Sequence, residues 1–364
     1  MSVEFIGFIG SQHGSETHPP SGPVLDKAYV EAMAKAHDEG GFDRALVAFH
    51  STSPESILIA SHAASVTERL GFMIAHRPGF TAPTVAARQF ATLDQFTSGR
   101  ISVHIITGAS DEELARDGDH LTKDERYART SEYLDIVRLE WTSDKPFDYQ
   151  GKYYQVAGAF GAVKPYQKPH LPIYFGGSSE AAIPVAGKHA DIYALWGETQ
   201  AQVSETVSRV RAAAAKWGRS PRFSLSLRPV LASTEEGAWK RAKDIEDRTR
   251  ELREAAGLKT TGHAPVNAGA QRLLAAAALG NRVDKRLWTG VSALTGASGN
   301  STGLVGTPEQ VAEALLDYYD LGVSTFLIRG FDPLEDAIAY GRDLLPLVRE
   351  RVAQRDANPI RAAG

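Results

Sequence analysis

In the stretch Arg222-Phe-Ser-Leu-Ser-Leu-Arg228, apolar and polar residues alternate. As a strand it puts Phe223, Leu225 and Leu227 on one face and Arg222, Ser224, Ser226 and Arg228 on the other. If the apolar face packs on helices, the polar face enters the interior. A guanidinium is costly there unless it meets an anion or a carboxylate. Arg228 lies towards the C-terminal end of the strand, where parallel α/β barrels carry their sites, and Arg222 lies at the opposite end. Arg228 therefore either binds a ligand anion or forms half of a structural ion pair. Acidic residues are sparse at the other C-terminal strand ends, which favours the ligand.

Other strand ends are also polar or aromatic. Gln12 and His13 follow the first strand, His50 the second, and His76 and Arg77 close the third. His104 lies inside the fourth, Trp196 ends the sixth, and Arg329 and Phe331 end the eighth. No HExxH or comparable carboxylate pattern makes a metal site of these histidines. The expectation is a metal-free pocket for an anionic, partly aromatic ligand. A second anion site is written in Tyr174-Phe-Gly-Gly-Ser-Ser179. The glycines allow close backbone approach, and Ser178 and Ser179 stand where a helix should begin. The plainer alternative is that Ser179 only caps that helix.

These residues need elements to hold them. Strand-like runs are expected at Phe5–Gly10, Arg44–Phe49, Leu70–Arg77, Arg100–Gly108, Leu171–Gly177, Asp191–Gly197, Arg222–Ala232 and Thr325–Gly330. Between them lie helix-length stretches such as Pro54–Thr67, Pro83–Ser98, Arg126–Trp141, Glu235–Ala256 and Pro308–Leu321. Ser53-Pro54 and Thr307-Pro308 each read as an N-cap followed by proline at the first helical position. Eight strands alternating with helices predict a (β/α)8 TIM barrel, in one domain over residues 1–364. An open doubly wound sheet is the competitor, but neither GxGxxG nor GxxxxGK[ST] is present. Two insertions break the alternation: a hairpin near 147–158 and a long segment near 252–306, read as an active-site lid or a surface linker.

Composition closes other routes. With no cysteine in 364 residues there is no disulfide, thiolate zinc site or cysteine nucleophile. The formal charge of −4, without basic runs, argues against nucleic acid or an anionic membrane as partner. The N-terminal MSVEFIGFIGSQHG has no basic stretch and too short an apolar run for a signal or span, so a cytoplasmic protein is expected.

An ordered set of motifs runs along nearly the whole chain: Ala82-Pro-Thr-Val-Ala-Ala-Arg-Gln89, Thr92-Leu-Asp94, Ser98-Gly-Arg100, Ile106-Thr-Gly108, Glu125-Arg-Tyr127, Tyr174–Ser179, Trp196-Gly-Glu198 and Leu304-Val-Gly306. In this order and spacing the sequence resembles the bacterial-luciferase-like flavin monooxygenases, and among them the alkanesulfonate monooxygenases. The resemblance implies a β/α barrel with a mobile lid after the seventh strand. It implies reduced FMN, supplied by a separate NAD(P)H-dependent flavin reductase, and O2 as co-substrate, with sulfite and an aldehyde or ketone as products from a sulfonate. It places Ser178, Ser179 and Tyr127, with Gly177, at the flavin phosphate, and Ala75, His104 and Thr107 along the flavin. It places Trp196 and His13 at the substrate, and a homo-oligomer, dimer or tetramer, is expected.

The chain departs from the alkanesulfonate pattern at several positions. Ser53 stands where those enzymes carry Cys, Ser226 and Arg228 where they carry Arg and His, and Phe331 where they carry Tyr. An Arg expected in the lid is missing near Thr295. Arg228 is then expected to take over the anion contact from the same strand face. The further polar residues Gln12, His50, His76 and Arg329 suggest a more hydroxylated substrate, such as a sulfosugar. A sulfone, alkane, aldehyde, carboxylate or phosphonate substrate, and a non-catalytic flavin-binding barrel, are the competing expectations.

Overall fold

The computed structural model describes residues 2–108, 110–258, 267–297 and 299–357. Eight parallel strands run through it: β1 (Glu4–Ile9), β2 (Arg44–Val47), β3 (Gly71–His76), β4 (Ile101–Ile105), β5 (Ile173–Gly176), β6 (Ile192–Trp196), β7 (Arg222–Leu231) and β8 (Val323–Ile328). With helices between successive strands, this is the (β/α)8 barrel class expected from the sequence. The chain divides into two compact units, Met1–Arg44 with Leu195–Val207 and Arg222–Gly364, and Ala45–Ala194 with Ser208–Pro221.

In the first unit β8 lies between β1 and β7, all parallel. The register sets Glu4 beside Thr325 and Ile6 beside Leu327, with Thr325 beside Ser224 and Leu327 beside Ser226. These share a face with Arg228, because side chains alternate. The opposite face carries Phe5, Phe326, Leu225 and Leu227, all fully buried. It is the helix-facing side, since a Cβ on Gly7 would overlap the His37 imidazole of helix Lys27–Glu39. His37 Nδ1 lies 2.6 Å from the Met33 carbonyl, and its Nε2 accepts the Phe8 N–H at 3.3 Å. Only the neutral Nδ1–H tautomer satisfies both bonds. β7 is long enough to take a second parallel partner, Gly303–Gly306, against Arg228–Leu231.

In the second unit β4 lies between β3 and β5, and β6 follows β5, again parallel. All six residues of β3 are buried, as a strand covered on both faces requires. The hairpin expected near 147–158 is an antiparallel pair, Phe147–Gln150 with Gln155–Ala159.

Local signals set several boundaries. Thr307 caps helix Pro308–Asp320 through a reciprocal box with Gln310, as the sequence suggested. The second helix departs from expectation. It runs Ser56–Ser65 and is capped by the Glu55 carboxylate on Leu58 N–H, not by Ser53. The Ser53 hydroxyl instead bonds the His50 carbonyl and receives the His50 N–H, closing its own turn.

The long insertion between β7 and β8 contains helix Ala268–Ala278, a short antiparallel pair (Arg282–Val283 with Leu287–Trp288) and helix Gly290–Thr295. Residues 259–266 and 298 of the expected lid lie outside the described residues. The Gly/Ser-rich stretch after Ala293, read as surface loop, is instead largely interior. Ala297 and Thr302 are fully buried and Ser301 nearly so. Thr302 Oγ1 donates to the Gly197 carbonyl at 2.6 Å, and Gly197 N–H donates to Asn300 Oδ1. Small residues allow that depth of packing.

Candidate functional site

The residues matched to flavin binding fall together in the second unit. Ala75 on β3 pairs in register with His104 on β4, and His104 with Tyr174 on β5. Their neighbour His76 faces the other way, with Nε2 2.7 Å from Tyr133 Oη and its ring edge-on to Phe90. Ala75 and His104 are therefore turned away from that helix layer. Burial holds the His104 imidazole down at about 4, so it is neutral at working pH. Its Nδ1 is enclosed without a hydrogen-bond partner.

After β5 the chain passes through Gly177 at φ +140°, a backbone region that an L side chain avoids. A Cβ there would lie 2.6 Å from Tyr127 Oη and 3.0 Å from Ala182. The Gly177 carbonyl accepts the Tyr193 hydroxyl at 2.5 Å. The helix that follows begins at Ala182, three residues later than expected, and its N-cap, Ala181, makes no side-chain bond. Ser179 is thus not a cap, and its Oγ is buried without a partner. A lone buried hydroxyl and a ring nitrogen, beside a turn that admits only glycine, fit a phosphate-bearing flavin. Ser178, Ser179 and Tyr127 would hold its phosphate, and Ala75, His104 and Thr107 would border its ring. Replacing Ser178 and Ser179 together by Ala is expected to weaken FMN binding by about 1–3 kcal/mol, measured by fluorescence titration.

His50 and Ser53 also lie in this unit, both exposed. His50 Nε2 is 3.3 Å from Glu113, which sequence reading passed over. Helix Asp111–Arg116 carries Glu113 to Arg77 at 2.6 Å and to the Ser51 N–H at 3.0 Å. Burial pushes the Glu113 carboxyl up, but that N–H and the guanidinium outweigh it and lower it. Arg77 and His76 thus serve the framework, and His50 leans on it.

The cationic residues gather in the first unit. Arg228 is 1% exposed, and its guanidinium lies 3.5 Å over the Phe331 ring. Nη1 is 2.7 Å from Glu16 Oε2, and Nη2 donates to the Gly330 carbonyl at 2.8 Å. The partner is a carboxylate of the protein itself, on the loop after β1, which the sequence argument did not weigh. Arg329 lies one residue past β8, with its guanidinium 5.3 Å from the Phe8 ring, and reaches the other Glu16 oxygen at a longer 3.3 Å. Burial pushes the Glu16 carboxyl up, yet the two guanidiniums hold it at about 2. Burial and the like charge of Arg228 bring Arg329 down to about 10, still charged at neutral pH. Glu16, Arg228, Arg329, Gln12 and Tyr29 line a cavity of about 320 Å³. His13 stands nearby, edge-on to Tyr29 and His18.

Trp196 packs against Ala270, Leu273 and Ala297 of the insertion. Helix Ala268–Ala278 is stapled there by Arg272. Its Nε lies 2.8 Å from Glu198, a 2%-exposed residue, and its Nη2 donates to the Gln202 carbonyl. A Cβ on Gly269 would stand 2.9 Å from the indole. Gly269→Val is therefore expected to displace Trp196, at about 1–3 kcal/mol of overpacking. The check is tryptophan emission, with Trp196→Phe as reference; identical spectra for Gly269→Val and wild type would count against this packing.

Known proteins share this fold. The luciferase-like monooxygenase family model matches residues 3–325, and the chain belongs to that family, a family of flavin-dependent monooxygenases. Among solved structures, a riboflavin lyase with modified FMN and riboflavin is 20% identical, with a TM-score of 0.79 over 97% of this chain and 92% of that one. An EDTA monooxygenase from Chelativorans sp. BNC1 is 20% identical, with a TM-score of 0.75 over 97% of this chain and 95% of that one. The oxygenating constituent of 3,6-diketocamphane monooxygenase from Pseudomonas putida, in complex with FMN, is 17% identical, with a TM-score of 0.67 over 95% and 99%.

Proposed function

We propose that the protein is a two-component monooxygenase that uses reduced FMN from a separate NAD(P)H-dependent reductase, and O2, to cleave the C–S bond of an organosulfonate. The observation that carries the sulfonate is the cluster at the 320 Å³ cavity, where two guanidiniums meet one carboxylate. One positive charge is left over in a half-closed space, which favours an anionic ligand.

Bound reduced flavin supplies two electrons and the means of activating O2. One oxygen atom goes to the carbon, which becomes a carbonyl, and the other leaves as water, while the sulfur departs with the bonding pair as hydrogensulfite. The chain's part is to bind and shield. Arg329 and Arg228 hold the sulfonate, with Phe331 beneath the Arg228 guanidinium. Trp196 is proposed as a further substrate contact, and Gln12 and His13 are the polar groups proposed to meet the rest of the substrate. A hydroxylated sulfonate such as a sulfosugar suits that polarity. No helix of the described residues is long and apolar enough to cross a membrane, and we place the activity in the cytoplasm, in a dimer or tetramer.

The test is sulfite release from a panel of sulfonates, with reduced FMN supplied by a generic reductase and with sulfones, alkanes and carboxylates as controls. Sulfite is expected from at least one sulfonate. Oxygenation of a control, with no sulfite from any sulfonate, would overturn the substrate class.

A further inference from the structure

We propose that Glu16 makes this cavity selective for singly charged oxyanions, sulfonates and sulfate monoesters, over doubly charged ones of the same shape. The proposal rests on the reading of the cavity as the substrate's anion pocket, and it assigns the discrimination to a residue outside the strands.

The argument starts from how the three charges are held. Arg228 is mostly engaged: Nη1 is on Glu16, Nη2 on the Gly330 carbonyl, and its plane lies on Phe331, so that only its buried Nε is left with neither an ion pair nor a hydrogen bond. Arg329 is not. Its side chain is 30% exposed, and its contact with Glu16 is a single one at 3.3 Å. The charges acting on Glu16 are those of Arg228 and Arg329, and those acting on Arg329 are Arg228 and Glu16. The next acids are engaged elsewhere, Asp332 and Asp336 on Arg241 at 3.1 and 2.7 Å, and Asp332 also near His18. Glu335 acts on Tyr29 and lies exposed, where water screens it.

Glu16 cannot readily swing aside for a ligand. The residues on either side of it are tied to one acceptor: Ser15 Oγ donates to the Phe331 carbonyl at 2.6 Å and Thr17 Oγ1 to the same carbonyl at 3.1 Å. Further on, Asp26 N–H donates to the Ser11 carbonyl and closes the loop. Releasing the carboxylate would also leave Arg228, 1% exposed, without its counter-ion. Glu16 therefore stays when the ligand arrives. One negative charge on the ligand then neutralises the cluster through Arg329. A second finds no cation and faces the Glu16 carboxylate across a low-dielectric space.

The experiment compares two probes of one shape and different charge, n-butyl sulfate and n-butyl phosphate. At pH 8 the phosphate monoester carries close to two charges, its second pKa being about 6. Binding to the full-length protein is measured by calorimetry for wild type, Glu16→Gln and Arg329→Gln, each with its melting temperature. Wild type is expected to prefer the sulfate by about tenfold or more, a difference of about 1.4 kcal/mol. Glu16→Gln should shift the sulfate-to-phosphate ratio towards phosphate by about the same factor. Arg329→Gln keeps the Glu16–Arg228 pair, so it serves even if Glu16→Gln folds poorly. It should lose sulfate affinity without gaining phosphate affinity. Equal affinities or a phosphate preference in wild type, or a ratio unmoved by Glu16→Gln, would overturn the charge rule. Binding of neither probe to wild type would overturn the anion-pocket reading beneath it.

Discussion

Arg228→Ala is expected to lose about 3–5 kcal/mol of stability, because it strips a half-buried carboxylate of its main partner and empties a stacked position against Phe331. Arg329→Ala should cost about 1 kcal/mol or less, its contact being longer and partly in water. Both should weaken binding of an anionic substrate, but in different company. The Arg329 variant should lose affinity at an almost unchanged melting temperature, whereas the Arg228 variant should lose both. Arg228→Lys keeps the charge and gives up the fork that reaches Glu16 and Gly330 together, so it should fall between. Flavin titration should be unaffected in all three. An Arg228→Ala protein that melts as wild type would show that the pair is not structural. One that is destabilised yet binds substrate normally in its folded fraction would remove Arg228 from the anion site.

Acid is the second lever. His37, His76 and His189 are all buried, and burial lowers them from 6.5 to about 4, about 4 and about 2, with like charges from Lys188 and Arg138 adding to the last. The unfolded chain takes up a proton at each near 6.5, while the folded chain refuses it until much lower pH. Stability is therefore full above pH 6.5 and falls as the pH drops from there towards 4. Each group contributes up to about 1.4 kcal/mol per pH unit, so three in parallel can remove about 6 kcal/mol by roughly pH 5, a large share of a net stability of about 5–15 kcal/mol. Glu16 follows the same proton logic, its folded carboxyl also taking the proton later than the unfolded one, but it acts at lower pH. Its contribution is intact above 4.5 and is lost from there down to about 2. The urea midpoint measured at half-unit steps from pH 8 to 4 checks the order. For His37 the bonds to Met33 and Phe8 already require the neutral ring, so His37→Gln should flatten part of the slope. A profile flat from pH 7 to 5 would contradict buried neutral histidines.

Strand positions and facing were legible because alternation is a local property. Arg222-Phe-Ser-Leu-Ser-Leu-Arg228 declares its two faces without reference to anything else. The polar face and the row Ser224, Ser226 and Arg228 follow from that pattern. What Arg228 meets was not legible. Glu16 sits in a loop with no periodicity, seven residues beyond the end of β1, and only the folded loop brings it back. A lone acid between two hydroxyl residues in Ser15-Glu-Thr17, just past a strand, was the available signal. Glu113 was missed for a similar reason: its short helix, Asp111–Arg116, carries too few turns to show an apolar stripe. His76 was grouped with the pocket because a strand end says nothing about which face its last residue takes. The insertion after β7 misled in the other direction, since glycine and serine mark loops by composition yet also pack closely, as Thr302 and Ala297 do.

The three charges of the first unit have unequal freedom to change over generations. Arg228 is committed to a strand whose neighbours are the core, and Arg329 follows directly from another. Glu16 rides on a tether between β1 and helix Lys27–Glu39, held by hydroxyls rather than by the sheet. On the proposed reading of the cavity, drift in that tether would alter which anions are accepted without disturbing any strand. On that reading, one exchanged loop would be enough to change the diet of the scaffold, and grafting a relative's loop in place of residues 10–25 is the direct route to a new preference.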